Sequence, residues 1–231
     1  PFRPPLVTAF FTATGEVGGV QTDGTVLIAD RSPPLGAAPT LRTVVLPGVT
    51  EPKTPHVRLP IDVSECIWRT PDGKPTLDPE LMYGFLAGAL GSGGAAVANT
   101  PAAVAAPKVP STTRIFIPAD LAVGEAFGSG FTDSKLFRID YDGVAKSLTV
   151  MERFDGVMVD GNGSASSPAV SSDGTAVFVA DAAGRVYSFD AETGRGLWAQ
   201  PTYVGEMFAS VTAVPTSLGH DVVYTFAREK G

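Results

Sequence analysis

The chain has 231 residues, of which 44% are hydrophobic and 18% charged, and this composition excludes intrinsic disorder. Its 26 glycines and 20 prolines are too many for a helical bundle and favour short strands joined by turns. A net charge of −7 without basic runs argues against nucleic acid and anionic membrane as partners.

The first part of the chain predicts a strand and then a long connection. Residues 24–30, G-T-V-L-I-A-D, are rich in β-forming side chains between turn residues. The proline-rich residues 33–60 are expected to form a surface connection.

Cys66 is the single cysteine, so a disulfide framework or a multi-thiolate zinc site within the chain is excluded. We expect Cys66 to pack near a sheet face rather than to react.

A helix start is present in the middle of the chain. Asp78 is a favourable N-cap, Pro79 suits the first turn, and Glu80 lies where the helix dipole favours a negative charge. We therefore expect a short inserted helix near residues 79–90, ended by the glycine-rich residues 91–94.

The clearest pattern is a three-stranded meander. Residues 175–180 and 185–190 are rich in β-forming side chains, and a third strand starts at residue 196. Two tight turns join these strands, because aspartate bonds its own backbone and glycine accepts a positive φ. The turn residues are Asp181, Gly184, Asp190, Thr193 and Gly194.

Degenerate copies of the meander recur along the chain. Gly24 and Asp30 match Gly184 and Asp190, Asp140 ends a second copy, and Trp68 echoes Trp198. A last copy runs from residue 209 to 226. The shared order predicts about three to four blade-like units, each stacked on its neighbours because a small sheet cannot cover its own faces. Their approximate boundaries are residues 6–68, 69–155, 156–200 and a shortened 201–231.

The spacing D-x-x-G-x-V-Y-x-x-D-x-x-T-G-x-x-x-W at residues 181–198 resembles the PQQ-like repeat of quinoprotein-type β-propellers. The resemblance implies an all-β propeller, most often of eight four-stranded blades. Since 231 residues are too few for eight blades, we expect an incomplete arc. It also implies that Trp198 docks one blade on the next, so we expect its indole to be buried. The blade motif comprises Asp181, Gly184, Asp190, Thr193, Gly194, Trp198, Gly24, Asp30, Trp68 and Asp140.

Two functions follow from this resemblance. The leading hypothesis is a non-enzymatic, extracytoplasmic protein-binding or scaffolding module with no cofactor of its own. Its partner is expected to be another protein chain or a second copy that covers the open sheet faces. The alternative is a fragment of a PQQ-dependent oxidoreductase that uses PQQ and Ca²⁺, with its catalytic residues outside this chain. No apolar run reaches the roughly 18 residues of a membrane span.

A weak calcium-binding pattern lies at Asp160, Asn162 and Ser164, which alternate like the first half of a calcium loop. Ser171 stands where such a loop needs a bidentate glutamate, so a plain turn is favoured. These three residues are the only metal candidates.

Two further motifs are weaker still. Residues 91–96 match G-x-G-x-x-A, but the strand and the acidic residue of a dinucleotide site do not accompany them. His56 and His220 are the two histidines, and no G-x-S-x-G accompanies them, so a hydrolase triad is not predicted. Catalytic residues stay unassigned.

Overall fold

A computed structural model describes residues 6–21, 24–31, 33–49, 96–100, 112–120, 134–158, 167–181, 184–201 and 211–225. These residues form fourteen strands in four antiparallel sheets. No helix occurs among them. The helix predicted near residues 79–90 lies outside the described residues.

Each sheet contains strands that are consecutive in the chain, so each is an up-and-down meander. Sheet 1 contains β1 (Leu6–Phe11), β2 (Val17–Gln21), β3 (Thr25–Ala29) and β4 (Leu41–Val45). Sheet 2 contains β5 (Ala96–Thr100), β6 (Thr112–Asp120), β7 (Ser134–Asp142) and β8 (Ser147–Val150). Sheet 3 contains β9 (Ala169–Val170), β10 (Ala176–Ala180), β11 (Arg185–Asp190) and β12 (Gly196–Pro201). Sheet 4 contains β13 (Thr212–Pro215) and β14 (Asp221–Tyr224).

Strand β4 corrects one prediction. It lies inside the proline-rich residues 33–60, which are not a surface connection throughout. Pro39 and Pro47 flank this strand without entering it. Every backbone N–H of its five residues is therefore available for the ladder with β3, which runs from Thr25↔Val45 to Ala29↔Leu41.

The four sheets stack face to face because side chains alternate along each strand. In β6, Ile115 packs against sheet 1, whereas its neighbour Phe116 packs against sheet 3. In β10, Val177 faces sheet 2 and Phe178 faces sheet 4. A separate apolar core therefore fills each of the three spaces between sheets. We call the face of a sheet toward the preceding sheet its front face, and the opposite one its back face.

The sheets share one inner edge. Strands β1, β5, β9 and β13, the first of each sheet, lie side by side in that order. At the opposite edge, the outer strands β4 and β8 also approach each other. Meanders that run from a shared inner edge to an outer edge, stacked front to back, are the blades of a β-propeller. The chain thus forms an all-β arc of blade-like sheets.

The predicted unit boundaries stay a prediction, since most connections between sheets lie outside the described residues.

Candidate functional site

The candidate site is built on the turn between β10 and β11. The carboxylate of Asp181 is fully buried, and it accepts hydrogen bonds from the Arg185 backbone N–H (2.8 Å) and the Tyr187 hydroxyl (2.9 Å). Gly184 closes the turn at a φ of +90°. Burial, reinforced by the negative charge of Asp181, raises the pKa of Tyr187 to about 12. The phenol therefore remains a donor, and the turn fixes the position of its ring.

The next turn joins β11 to β12 and is held by Asp190. One carboxylate oxygen of Asp190 accepts hydrogen bonds from the N–H (2.7 Å) and hydroxyl (2.8 Å) of Thr193 and from the Glu192 N–H (3.1 Å). These bonds, led by the Thr193 N–H, lower the pKa of Asp190. Gly194 has a φ of +74°, and a Cβ there would lie 2.6 Å from the Asp155 nitrogen. Only glycine suits this position.

An apolar groove runs beside β12. The register between β11 and β12 shifts after Ser188, and this β-bulge leaves Leu197 without a partner across the ladder. All six residues of β12 are exposed. The groove has a volume of about 220 Å³ and is lined by Val157, Tyr187, Phe189, Gly196, Leu197, Trp198 and Ala199. Its lining can accept apolar side chains.

The opposite side of β12 carries Trp198, and here one prediction is wrong. Phe178, Ser188 and Trp198 pair across the ladders and form one row on the back face of sheet 3. The indole packs on the Phe178 ring, with 5.9 Å between centroids. It is nevertheless 45% exposed instead of buried. Among the described strands, only β13 and β14 face this side, and they pack on its inner part.

The remaining motif residues have structural roles. Gly24 takes a φ of +82° and donates its N–H to the Gln21 carbonyl (3.0 Å). Asp30 accepts a hydrogen bond from Arg42 (2.9 Å). Trp68, Asp160, Asn162 and Ser164 lie outside the described residues, as do Cys66 and His56. His220 lies, exposed, in the turn before β14.

Asp140 does not have the role of Asp190. Its carboxylate accepts two hydrogen bonds from Arg138 (2.8 and 2.7 Å) within sheet 2. The turn after β7 is instead held by Asp142, which accepts from the N–H groups of Val144 (2.8 Å) and Ala145 (3.0 Å). The structural counterpart of Asp190 is therefore two residues later than the repeat alignment places it.

A buried carboxylate that sequence reasoning missed joins sheets 1 and 2. Glu16 is 5% exposed and accepts hydrogen bonds from the Tyr141 hydroxyl (3.2 Å), Lys146, Thr12 and Thr14. Burial raises its pKa, but the bonds from Lys146 and the two threonines outweigh burial and lower the pKa to about 2. Glu16 thus stays charged and holds the β1–β2 turn on sheet 2.

A buried cation joins sheets 2 and 3 in the same way. The Arg138 side chain is 3% exposed, and it donates to the carbonyl oxygens of Glu192 (2.8 Å) and Ala191 (3.3 Å). It also pairs with the Glu192 carboxylate at 3.3 Å. These contacts hold the β11–β12 turn of sheet 3 on the back face of sheet 2.

A third kind of link between sheets comes from the turn that joins the first two strands of a sheet. The Ala13 N–H donates to Thr113 in sheet 2 (2.8 Å), and the Ser172 N–H donates to Asp221 in sheet 4 (2.7 Å). Both donors are the second residue of a turn of the form S/T-x-x-G, at residues 12–15 and 171–174, and a third such turn occupies residues 216–219. This recurring pattern is the sequence signal that finds the turns.

Comparisons with known proteins add the following. No protein-family model and no curated protein sequence matches the chain. A solved quinohemoprotein alcohol dehydrogenase of Pseudomonas putida HK5 is 15% identical to this chain, with a TM-score of 0.40. The match covers 98% of this chain and 34% of the dehydrogenase chain. A quinohemoprotein alcohol dehydrogenase from Comamonas testosteroni is 13% identical, with a TM-score of 0.38. The match covers 96% of this chain and 33% of that dehydrogenase chain. The Dos1 propeller is 8% identical with a TM-score of 0.34, covering 94% and 54%. The chain therefore spans about a third of the length of the two dehydrogenases.

Two further observations concern membranes and metals. In the described ranges, no helix is long and apolar enough to cross a membrane. Within the same ranges, no group of three or more histidine, cysteine, aspartate or glutamate side chains is placed to hold a metal ion.

Proposed function

We propose that the chain is a non-enzymatic scaffold of PQQ-like blades that binds another protein along the outer strand of sheet 3. The observation that carries this proposal is β12, which is exposed at all six positions and reads G-L-W-A-Q-P without a charge. Edge strands of natural proteins are usually protected by charged residues, bulges or cover, because an open apolar edge pairs with other chains. Strand β12 has a bulge at Leu197, but it carries no charged residue and all six of its residues are exposed.

The proposed ligand is an extended protein segment with apolar residues at alternate positions. Successive side chains of a strand point to opposite faces. When such a segment adds to β12, one set of its side chains enters the groove beside Leu197 and Phe189. The other set meets the exposed face of Trp198. Main-chain bonds supply affinity in this mode, and the apolar groove supplies specificity for the alternating apolar side chains.

A designed peptide tests the proposal. The probe is a nonapeptide with valine at odd positions and lysine at even positions, whose positive charge complements the net charge of −7. Its control has the same residues in blocks, which removes the alternation. Titration followed by tryptophan fluorescence and calorimetry should give a roughly micromolar Kd for the alternating peptide. The blocked peptide should bind at least about tenfold more weakly.

Protein variants locate the binding site. Leu197→Asp and Trp198→Ala should each weaken the alternating peptide by about tenfold or more. Val144→Asp is the matched control, because Val144 is an exposed valine (65%) in the β7–β8 turn. Equal affinity for the two peptides, no binding, or equal losses for all three variants would contradict the proposal. Circular dichroism establishes that each variant is folded.

The alternative function, part of a PQQ-dependent oxidoreductase, is favoured by the spacing at residues 181–198. Similar solved structures are named as quinohemoprotein alcohol dehydrogenases. The alternative predicts quinone absorbance and dye-linked alcohol oxidation after PQQ and Ca²⁺ are added to the full natural protein. If neither appears, this alternative fails. An extracytoplasmic location is proposed with either function, and cell fractionation tests it.

A further inference from the structure

The hydrogen bonds at the two ends of β11 show which way its main-chain groups point. At one end, the Asp190 N–H donates to the Arg195 carbonyl (2.9 Å), and the Asp190 carbonyl accepts from the Gly194 N–H (2.9 Å), on the side of β12. At the other end, the Arg185 carbonyl accepts from the Asp181 N–H (3.0 Å), on the side of β10. In an antiparallel sheet the residues of a strand bond alternately to one neighbour and to the other. The even-numbered residues of β11 therefore bond β12, and the odd-numbered residues bond β10.

The same alternation assigns the main-chain groups of β12. Val186 pairs with Gln200 and Ser188 pairs with Trp198. Gln200 and Trp198 therefore point their N–H and carbonyl groups inward to β11, and Ala199 between them points both groups outward. Strand β12 lies at the edge of sheet 3, and no described strand pairs with it on its outer side. Ala199 thus offers one donor and one acceptor at this edge.

Irregularities on both sides of Ala199 restrict the register of an added strand. Pro201 also points outward, since it lies two residues further along β12, but its nitrogen carries no hydrogen. On the other side, the β-bulge at Leu197 disrupts the regular ladder. Between Leu197 and Pro201, only Ala199 presents both an N–H and a carbonyl to the outside. A regular edge would let an added strand slip along it, whereas this edge has one full pairing position.

The side chain of Ala199 identifies the face on which the added residue lies. Ala199 pairs with Tyr187, on the front face of sheet 3, and it lines the apolar groove. Its side chain is a single methyl group and leaves the groove open beside it. In an antiparallel pair, two directly opposite residues carry their side chains on the same face. A residue that pairs with Ala199 in this way therefore places its side chain in the groove.

We propose that the bound segment runs antiparallel to β12, and that one groove-facing residue of the segment exchanges both main-chain hydrogen bonds with Ala199. This inference rests on the proposed function and adds the direction and register of the ligand. Every pair of strands in the described sheets is antiparallel, and antiparallel pairing is slightly the more stable per residue. In a parallel segment, Ala199 would instead bond two residues whose side chains face Trp198.

N-methylated peptides test the direction of the segment. The parent is the alternating valine–lysine nonapeptide, one derivative is methylated on the nitrogens of its inner valines, and the other on those of an equal number of lysines. Each methyl group removes one main-chain donor and leaves the side chain unchanged. In calorimetry, the valine-methylated peptide should bind at least about tenfold more weakly than the parent, and the lysine-methylated peptide should bind within about threefold of it. The reverse order would show a parallel segment and equal effects would show no fixed register, and either result overturns the inference.

Two variants of the edge test the register. Ala199→Pro removes the outward N–H while the bonds to β11 remain, and it should weaken binding of the parent peptide by about tenfold. Pro201→Ala adds an outward N–H and should strengthen binding by roughly threefold. Val144→Ala, in the exposed β7–β8 turn, should leave the affinity unchanged. Circular dichroism checks folding, and Pro201→Ala decides the matter if Ala199→Pro is unfolded.

Binding of the unmodified peptide separates this inference from the proposed function. If the parent peptide does not bind the wild-type chain, the proposed function fails and the register fails with it. If the parent peptide binds, but neither edge variant changes its affinity, the segment does not pair with Ala199 and only the register fails.

Discussion

The two faces of sheet 3 differ although the same strands supply both. On the front face, Tyr187 and Phe189 are 3% and 2% exposed and form a stacked pair against sheet 2. On the back face, the row from Phe178 through Ser188 to Trp198 is buried at its inner end and 45% exposed at Trp198. The difference teaches that burial here depends on the partner sheet and not on the apolar character of the strand. It is also what leaves the Trp198 side of β12 exposed.

The largest loss of stability should come from a substitution on the covered front face of sheet 3. Phe189→Ala removes an aromatic ring from the space between sheets 2 and 3 and should lower the free energy of unfolding by about 3 to 5 kcal/mol. Urea denaturation followed by circular dichroism measures this loss. Val144→Ala, at an exposed turn, should change stability by less than about 0.5 kcal/mol. A loss below about 1 kcal/mol for Phe189→Ala would mean that the front face is not packed as described.

The charged link between sheets 1 and 2 should give the next largest effect. The pKa of Glu16 falls from its ordinary 4.5 to about 2 on folding. Its carboxylate therefore stabilises the fold above pH 4.5, and this contribution is lost as the pH falls from about 4.5 toward 2. Glu16→Gln should cost about 2 to 3 kcal/mol at pH 7.

The pH dependence sharpens this prediction. The difference between wild type and Glu16→Gln should shrink as the pH is lowered, because the wild-type carboxylate is protonated there. Glu152→Gln, at an exposed position, is the control and should show a difference below about 0.5 kcal/mol at every pH. A constant difference for Glu16→Gln across the acid range would contradict the role of its charge.

A substitution on the half-covered back face of sheet 3 should cause a smaller loss of stability. Trp198→Ala removes an indole that is 45% exposed, so the loss should be about 1 to 2 kcal/mol, below that of Phe189→Ala. The same denaturation experiment compares the two variants. A loss equal to that of Phe189→Ala would show that the indole is covered in solution.

Ser188 should give the smallest effect, with the opposite sign. Its hydroxyl is buried in the row between Phe178 and Trp198, and it has no hydrogen-bond partner among the residues that the structure describes. Ser188→Ala removes an unpaired polar group and should leave stability unchanged or raise it by up to about 1 kcal/mol. A clear loss of stability would show that the hydroxyl has a partner.

The local structure of sheet 3 was accessible to sequence reasoning because its signals are local. The strands predicted at residues 175–180 and 185–190 are confirmed as β10 and β11, and the third strand begins at Gly196 as expected. Aspartate and glycine specify such turns through their own backbone bonds and positive φ. The all-β fold followed from these turns and from composition.

The links between sheets were not accessible in the same way. Glu16 and Tyr141 lie in different sheets and 125 residues apart, and neither stands at a repeated position. Arg138 likewise bonds a turn 54 residues away. Such pairs depend on how the sheets stack, and that packing is not encoded in a local pattern. The burial of Trp198 was mispredicted for the same reason, since exposure depends on the strands opposite it.

The exposure of the Trp198 indole tests most directly whether the outer edge of sheet 3 is open. The chain has two tryptophans, so Trp68→Phe leaves Trp198 as the sole indole. We expect its fluorescence to be quenched by acrylamide to a degree between that of a buried indole and that of free tryptophan. Addition of the alternating valine–lysine peptide should then reduce the quenching and shift the emission to the blue. An emission that acrylamide does not quench would show that the outer part of sheet 3 is already covered, and it would contradict the open binding edge.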